Sequence, residues 1–418
     1  MNDLLFFSDK CLISELPEQL SEAMKLNEII APEHSKLHFC GIFSWGGRTA
    51  IFLPANCDLQ YKPDLSSHYL IKSINKYYNE NGTGVKSLDN NQLIGGEFLS
   101  LIITLYDDYL ANGIYVRRVR KSTVNNGKIN WPHTISHHMP FQTGGTPIYL
   151  EYTSSQIRYT SDCETSRIHA QVIRDIISTF GVLLNGNSYF SNEALDLVCP
   201  PTGDYDSQLS FLNRELSMSY SDRDIILINL LRQYIEKSGK ISDGSLIIGT
   251  SNFHYMWEHM LNHALSGIKN FNKKLPVPYY RSNDLYHEVA EKGQRTDIII
   301  ENHDKTHFAV VDAKYYTALS PQEAPGWPDL VKQFFYQKAV SAIVGEKASV
   351  STHFIFPGNE DILRSAHVGY RGQHGTKFLN HTDGYPIIYC HYCDPVILMK
   401  AYISRGKLPD LRSEIFNI

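Results

Sequence analysis

No stretch of this sequence carries the G-x-x-x-x-G-K-[ST] pattern of a P-loop. Without it the chain has no P-loop motor, so any nucleotide-driven movement must come from a partner, and no bound nucleotide is expected. Long apolar runs are also missing. None approaches the ~18 residues needed to cross a bilayer, which excludes a transmembrane helix and leaves no membrane partner to expect. The opening stretch MNDLLFFSDKCLISELPEQL lacks a basic segment ahead of its short apolar run and does not read as a signal peptide. The seven cysteines are odd in number and mostly scattered, which reads as reduced thiols and a cytoplasmic location. A net charge of −5 gives no global sign of nucleic-acid binding, although a local basic groove is enough for phosphate contacts. There is no internal repeat and no low-complexity tract.

What remains is an ordinary globular composition, 42% hydrophobic and 20% charged, in 418 residues. That is enough chain for two or three domains with sizeable cores. A Pro pair, Gly and acidic residues in LVCPPTGDYDSQ (197–208) mark the best boundary. Residues 1–197 mix short β-like runs (LHFCGIFSW, TAIFLP, IYVRRV, PIYLEY) with helical stretches such as TSRIHAQVIRDIISTFG, expected to end at Gly181. This half reads as a β-containing N-terminal domain. Residues 207–250 read as a helical connector, with DRDIILINLLRQYIEKSG closed by Gly239. Residues 251–418 alternate helix and strand, the pattern of an α/β fold with a mixed sheet between helices, α+β over the whole chain. There the helix SNFHYMWEHMLNHALSGI puts Phe253, Met256, Trp257, Met260, Leu261, Ala264 and Leu265 on one face, with Glu258 at its edge. Ser251 or Asn252 caps it. A strand is expected around LYHEVAE, then a hairpin of 295–301 with 307–316. A helix DLVKQFFYQKAVSAIVGE follows Pro328, then buried strands THFIFP and YPIIYC and a closing helix PVILMKAYISRG.

Chemistry concentrates in RTDIIIENHDKTHFAVVDAKYYTA (295–318). Side chains two apart on a strand share a face, so Asp312 and Lys314 project together, and hairpin pairing brings Asp297 alongside. Three charges converging in an apolar sheet must pair, reach water or bind something, since leaving them bare costs several kcal/mol. Two aspartates suit a hard divalent cation, and a lysine beside it can stabilise developing charge and orient or activate an attacking water. Glu258 could add a third carboxylate.

This arrangement resembles the PD-(D/E)xK nuclease superfamily, with an acid on one strand, acid-x-Lys on the next and a helix on either side. The resemblance implies Asp297, Asp312 and Lys314 as the catalytic set and Glu258 as the optional acid of the preceding helix. One departure is Thr296, where the pattern has proline. The helix PDLVKQFFYQKAV, with Lys332, Gln333, Tyr336 and Gln337, makes a KQxxYQ signature similar to that of McrC-type nuclease subunits and, more closely, of the LlaJI-type restriction family. NGKINWPHTI (126–135) resembles a motif of that family's N-terminal half. The resemblance implies a Mg²⁺- or Mn²⁺-dependent endonuclease subunit that cuts double-stranded DNA in a restriction system. It also implies a catalytic-side place for Gln333 and a separate McrB-like GTPase as partner; the alternatives are a non-catalytic adaptor that stimulates a partner NTPase and a nuclease that works without a motor.

Two further features stand apart. VRRVRK, holding Arg117, Arg118, Arg120 and Lys121, is the densest basic run of the N-terminal half and a DNA-binding candidate, as is Lys332. Cys390-x-x-Cys393 with His391 has zinc-like spacing but needs ligands from scattered His367, His374 or His381, so it reads as a buried strand end.

Overall fold

The computed structural model describes residues 4–31, 33–81, 93–186, 193–241, 245–371 and 384–417. Contacts divide the chain into two compact units, Met1–Leu99 with Val182–Ser188 and Gly244–Ile418, and Ser100–Gly181 with Tyr189–Asp243. The 197–208 stretch lies inside the second unit, and the first draws on both halves of the sequence.

The first unit holds two five-stranded sheets. One comprises β1 (Leu4–Ser8), β2 (Cys40–Trp45), β3 (Arg48–Leu53), β4 (Leu93–Ile94) and β5 (Leu246–Thr250), in the order β1-β3-β2-β5-β4. Gly46 and Gly47, both at positive φ, make the two-residue turn that matches the twist of the β2–β3 hairpin. Leu37, Phe39, Phe43 and Phe52 pack with Leu20 and Met24 of the helix Glu18–Leu26 into its core. Gly41 of β2 faces Gly249 of β5. A Cβ on Gly41 would stand 2.1 Å from the Ile248 carbonyl oxygen, and one on Gly249 would stand 2.3 Å from that of Cys40. Only glycine lets the two backbones come this close. The chain before β2 and the chain after β5 therefore lie side by side.

α1 (Pro63–Asn81) follows β3, and α2 (Phe253–Ala264) follows β5. All seven residues of the expected apolar face of α2 are buried, and Asn252 takes the N-cap position. The second sheet comprises β6 (Ile298–Glu301), β7 (His307–Ala313), β8 (Ser349–Pro357), β9 (Ser365–Ala366) and β10 (Ile388–Cys393). Its order is β6-β7-β8-β10-β9, with β7, β8 and β10 parallel and the edge strands antiparallel. The parallel step from β7 to β8 needs a crossover, and α3 (Trp327–Val344) supplies it. Ala339 and Val340 of α3 pack on Ile299, Phe308 and Val310. Both Val/Ile-rich runs are buried on both faces, as a covered mixed sheet requires. α4 (Pro395–Ser404) packs against α1 and α2. The whole is the expected α/β architecture.

Three local expectations need correction. The strand around LYHEVAE does not join the sheet. Asn283 and Asp284 sit at left-handed φ and turn Leu285–Glu288 back onto Tyr279–Ser282 as a separate, exposed hairpin. The helix expected to stop at Gly181 runs Glu164–Asn185, because the residue at positive φ is Gly186, whose N–H donates to the Val182 carbonyl. The next runs Asp222–Ile241, straight through Gly239.

In the second unit a long antiparallel pair, Arg117–Val124 with Thr153–Thr160, is joined by Lys128–Ile129. Helices Tyr205–Met218 and Asp222–Ile241 pack on each other. The strand pair exposes Val119, Val124, Ile157 and Tyr159.

Candidate active site

The β6–β7 register pairs Ile298 with Val311. One step further along the same register, Asp297 faces Asp312 across the open end of the hairpin. The Ala313 N–H donates to Asp297 Oδ2 at 3.0 Å, which fixes that carboxylate. Asp312 is 6% exposed at the end of β7. Lys314 Nζ reaches back to within 3.0 Å of Asp312 Oδ2, as the two-residue spacing requires. The lysine backbone stays in the sheet, with its N–H donating to the Ile355 carbonyl. Asp297, Asp312 and Lys314 thus meet at one end of the sheet.

A fourth group joins them that the sequence reading misses. Asp329, in the first turn of α3, accepts from Lys314 Nζ at 2.8 Å and from the Tyr316 hydroxyl at 3.2 Å. Its only sequence signal is its place four residues before Gln333, one helical turn away on the same face of the helix.

Glu258 is half-buried on α2, and its carboxyl is raised above the usual range by burial. Arg295 and Lys314 oppose the rise while Asp312 adds to it, which places Glu258 within the field of the pair. Asp297 is raised more strongly, by burial first, then by its hydrogen bond and charge repulsion with Asp312, then by Glu258. Two carboxylates this close cannot both ionise cheaply. Burial alone would lower Lys314, yet Asp312 and Asp329 outweigh it and hold the ammonium well above its ordinary range. Tyr336 of α3 is pushed up by burial and by Asp297 and Asp312, so its phenol feels the same charges.

Gln333 is fully buried, and neither end of its amide has a hydrogen-bond partner among the described residues. Gln337, one turn on, instead donates to the Val350 carbonyl at 2.8 Å and ties α3 to β8. An unpaired buried amide costs roughly 1–3 kcal/mol, so Gln333 stands out in a helix otherwise well satisfied.

Asp297 and Asp312, with Glu258 nearby, offer oxygen donors in a covered site, and the ammonium beside them, Lys314, is paired with Asp312 and Asp329. That donor set fits a hard divalent cation such as Mg²⁺ or Mn²⁺ and gives nothing soft for other metals to prefer.

The remaining candidates are dispersed. Arg117 is bound to the buried carboxylate of Glu215, so its charge is spent inside the second unit. Arg118 and Lys121 are exposed on the same strand, and the side chain of Arg120 lies outside the described residues. Lys332 is exposed on α3, 3.9 Å from Asp329 Oδ1. Cys390 and Cys393, an odd number of residues apart on β10, point to opposite sheet faces and cannot share a metal. Burial pushes the Cys390 thiol up to about 12 and Cys393 up as well, and His391 is hydrogen-bonded to His353 at 2.9 Å. His374 and His381 lie outside the described residues, and His367 is exposed. Glu80, His259 and His263 also gather, with their ligating atoms within 4.8 Å of one another. There Glu80 already accepts from the Tyr402 hydroxyl and sits 3.9 Å from the Lys76 ammonium, so the group staples α1, α2 and α4.

The model of the LlaJI restriction endonuclease matches residues 39–368, a span that contains Glu258, Asp297, Asp312, Lys314, Asp329 and Gln333. The class is thereby set as a nuclease of a restriction system. The chain belongs to the LlaJI restriction endonuclease family. The Type II restriction enzyme BsuMI component YdjA of Bacillus subtilis (strain 168) is 25% identical over 342 residues, 77% of this chain and 72% of that one. Among solved structures, the half-complex of Thermococcus gammatolerans McrB AAA+ hexamers with bound McrC aligns at 13% identity and TM-score 0.39, covering 97% and 99% of the two chains. The Thermococcus gammatolerans McrBC complex aligns at 10% identity and TM-score 0.25, covering 61% and 85%. Both scores fall below the level of a shared fold. No helix among the described residues is long and apolar enough to cross a membrane.

Proposed function

We propose that this chain is the DNA-cleaving subunit of its restriction system, a divalent-cation-dependent endonuclease of PD-(D/E)xK type. The observation that carries the reading is Asp297 set against Asp312 at one end of a mixed sheet, with Lys314 paired to Asp312 and Glu258 near enough to feel the charges of both Asp312 and Lys314. The three carboxylates would hold Mg²⁺ or Mn²⁺. When bound, the cation supplies Lewis-acid polarisation of the scissile phosphate and acidifies a water.

The chain's own groups do the rest. Lys314 is held charged by Asp312 and Asp329, so it donates hydrogen bonds and positive charge and does not accept a proton at neutral pH. It orients the attacking water and stabilises the charge that builds on the phosphate oxygens as the new P–O bond forms and the backbone P–O bond breaks. Asp329 positions Lys314 by fixing its ammonium from the far side. Gln333, whose amide has no hydrogen-bond partner among the described residues, would complete the hydrogen-bonding of the occupied site.

We also propose that the chain works with a separate McrB-like GTPase. Three facts support this reading. The sequence has no P-loop. The Bacillus subtilis relative is described as one component of its enzyme. The KQxxYQ helix resembles that of nuclease subunits served by such motors. The apolar side chains exposed on Arg117–Val124 and Thr153–Thr160, beside Arg118 and Lys121, offer the partner a docking face.

The test is plasmid cleavage with Mg²⁺ by the wild type and by Asp312→Ala, each alone and with a neighbouring GTPase plus GTP. Wild type is expected to cut only with the motor, and Asp312→Ala is expected not to cut while melting at a similar temperature. Retained cleavage by Asp312→Ala overturns the site, and cleavage by the wild type alone overturns the motor dependence.

A further inference from the structure

Beside the carboxylate site the first unit has a cavity of about 620 Å³ that reaches Lys314 and Tyr316. It is continuous in its lining with a second of about 330 Å³, since both are bounded by Lys36, His38, Ser251 and Asn252. These are the segments that the Gly41–Gly249 approach brings together.

The charge of the larger cavity is one-sided. It is lined by Lys10 and Lys36 with His38 and His254, and at its inner end by Lys314, whose charge Asp312 and Asp329 hold; the one carboxylate of the lining is Asp9. Asp9 is 4% exposed and is spent on the backbone, accepting from the Lys10 N–H at 2.9 Å and the Phe39 N–H at 3.0 Å. That grip holds Lys10 at φ 69°, a left-handed conformation that is strained for lysine. Its side chain lines the cavity. Its ammonium lies over the ring of Tyr315 and donates to His38 Nδ1 at 2.8 Å. That bond fixes the His38 tautomer with Nε2 protonated, a neutral donor, and burial together with Lys10 lowers its pKa to about 4 so that it stays neutral. Lys36, at the mouth, has only a loose pairing with Glu323 at 3.5 Å. His254 stands one helical turn before Glu258 on the same face of α2, so one helix serves both the cavity and the carboxylates.

We infer that this cavity is a phosphate-binding track in which Lys10, Lys36, His38 and His254 grip the backbone of the DNA strand next to the bond being cut. The inference rests on the nuclease function proposed for Asp297, Asp312 and Lys314, and adds to it the part of the first sheet that feeds substrate to Lys314. In a chain of net charge −5, a lining that gathers lysines and histidines against one buried carboxylate supplies the local positive charge a polyanion requires.

The experiment is fluorescence anisotropy with a labelled random-sequence DNA duplex in EDTA, across a salt series, with thermal melts as a folding control. The parent is the full chain, compared with Lys10→Gln/Lys36→Gln. Lys36→Glu alone, a single change at a half-exposed position, serves as the second variant. The double variant is expected to bind at least tenfold more weakly, with a salt dependence shallower by about 2, near 0.9 for each phosphate that is no longer neutralised. Lys36→Glu is expected to weaken binding in the same direction. Unchanged affinity and slope in both folded variants, or no DNA binding by the parent, overturns the inference. A parent that binds through these lysines but never cuts with Mg²⁺ and the motor leaves the track standing and removes the nuclease reading.

Discussion

Asp297 is the residue at which function and stability pull apart. Its carboxyl is raised in the fold, so the metal-free native state keeps a proton that the unfolded chain loses above ~3.9. By linkage, stability falls as pH rises from there towards the raised folded value, because the native state binds more protons across that window. Asp297→Asn removes the group that resists ionisation while keeping its shape and its acceptor for the Ala313 N–H. In EDTA at pH 8 this variant is expected to melt several degrees above wild type, with the gain shrinking towards pH 4, and to lose cleavage with Mg²⁺. A melting temperature equal to wild type at both pH values would contradict the crowding of Asp297 by Asp312. Asp297 and Asp312 can be placed together from sequence because only a short turn separates their strands. Asp329 cannot, since its contact with Lys314 depends on how α3 docks and no local spacing encodes that.

At the scale of elements, α3 raises the sharper question. A helix that spends Gln337 on β8 but leaves Gln333 buried and unpartnered keeps a cost that an apolar residue would avoid. Gln333→Leu is expected to leave the melting temperature unchanged or raise it, because a similar volume replaces an orphaned amide, and to reduce cleavage at least tenfold. Full activity in that variant would reduce Gln333 to packing. The apolar face of α2 and the double burial of β6 and β7 follow directly from period and composition. The ends of helices are harder to read. Gly181 and Gly239 look like stops, yet the helices run through them because packing outweighs the ~1 kcal/mol that a helical glycine costs. The 285–288 strand fails for a different reason. Its pairing is decided by the left-handed Asn283 and Asp284, a local signal stronger than its β-like composition.

The whole molecule is organised in a way that sequence reading does not reach. β5 completes a sheet begun some two hundred residues earlier, and no periodicity announces a return across that distance. The proposed cation dependence belongs to this scale too, since Glu258 on α2 and the β6–β7 acids come from separate elements. EDTA is expected to abolish cleavage, and added Mg²⁺ to restore it; activity that resists chelation would remove the carboxylate mechanism. The anchoring of Tyr315 has a broader consequence. This residue directly follows Lys314, yet its hydroxyl is buried in the other sheet of the unit, accepting from the Ala55 N–H at 2.7 Å, while Asn56 holds the Thr317 and Pro357 carbonyls. The carboxylate-bearing sheet is therefore not a transplantable cassette. Residues 245–417 expressed alone are expected to fold loosely, whereas co-expression with a 1–99 fragment should give a complex that copurifies and melts cooperatively. Swapping nuclease parts between relatives would have to carry Met1–Leu99 along with the active site.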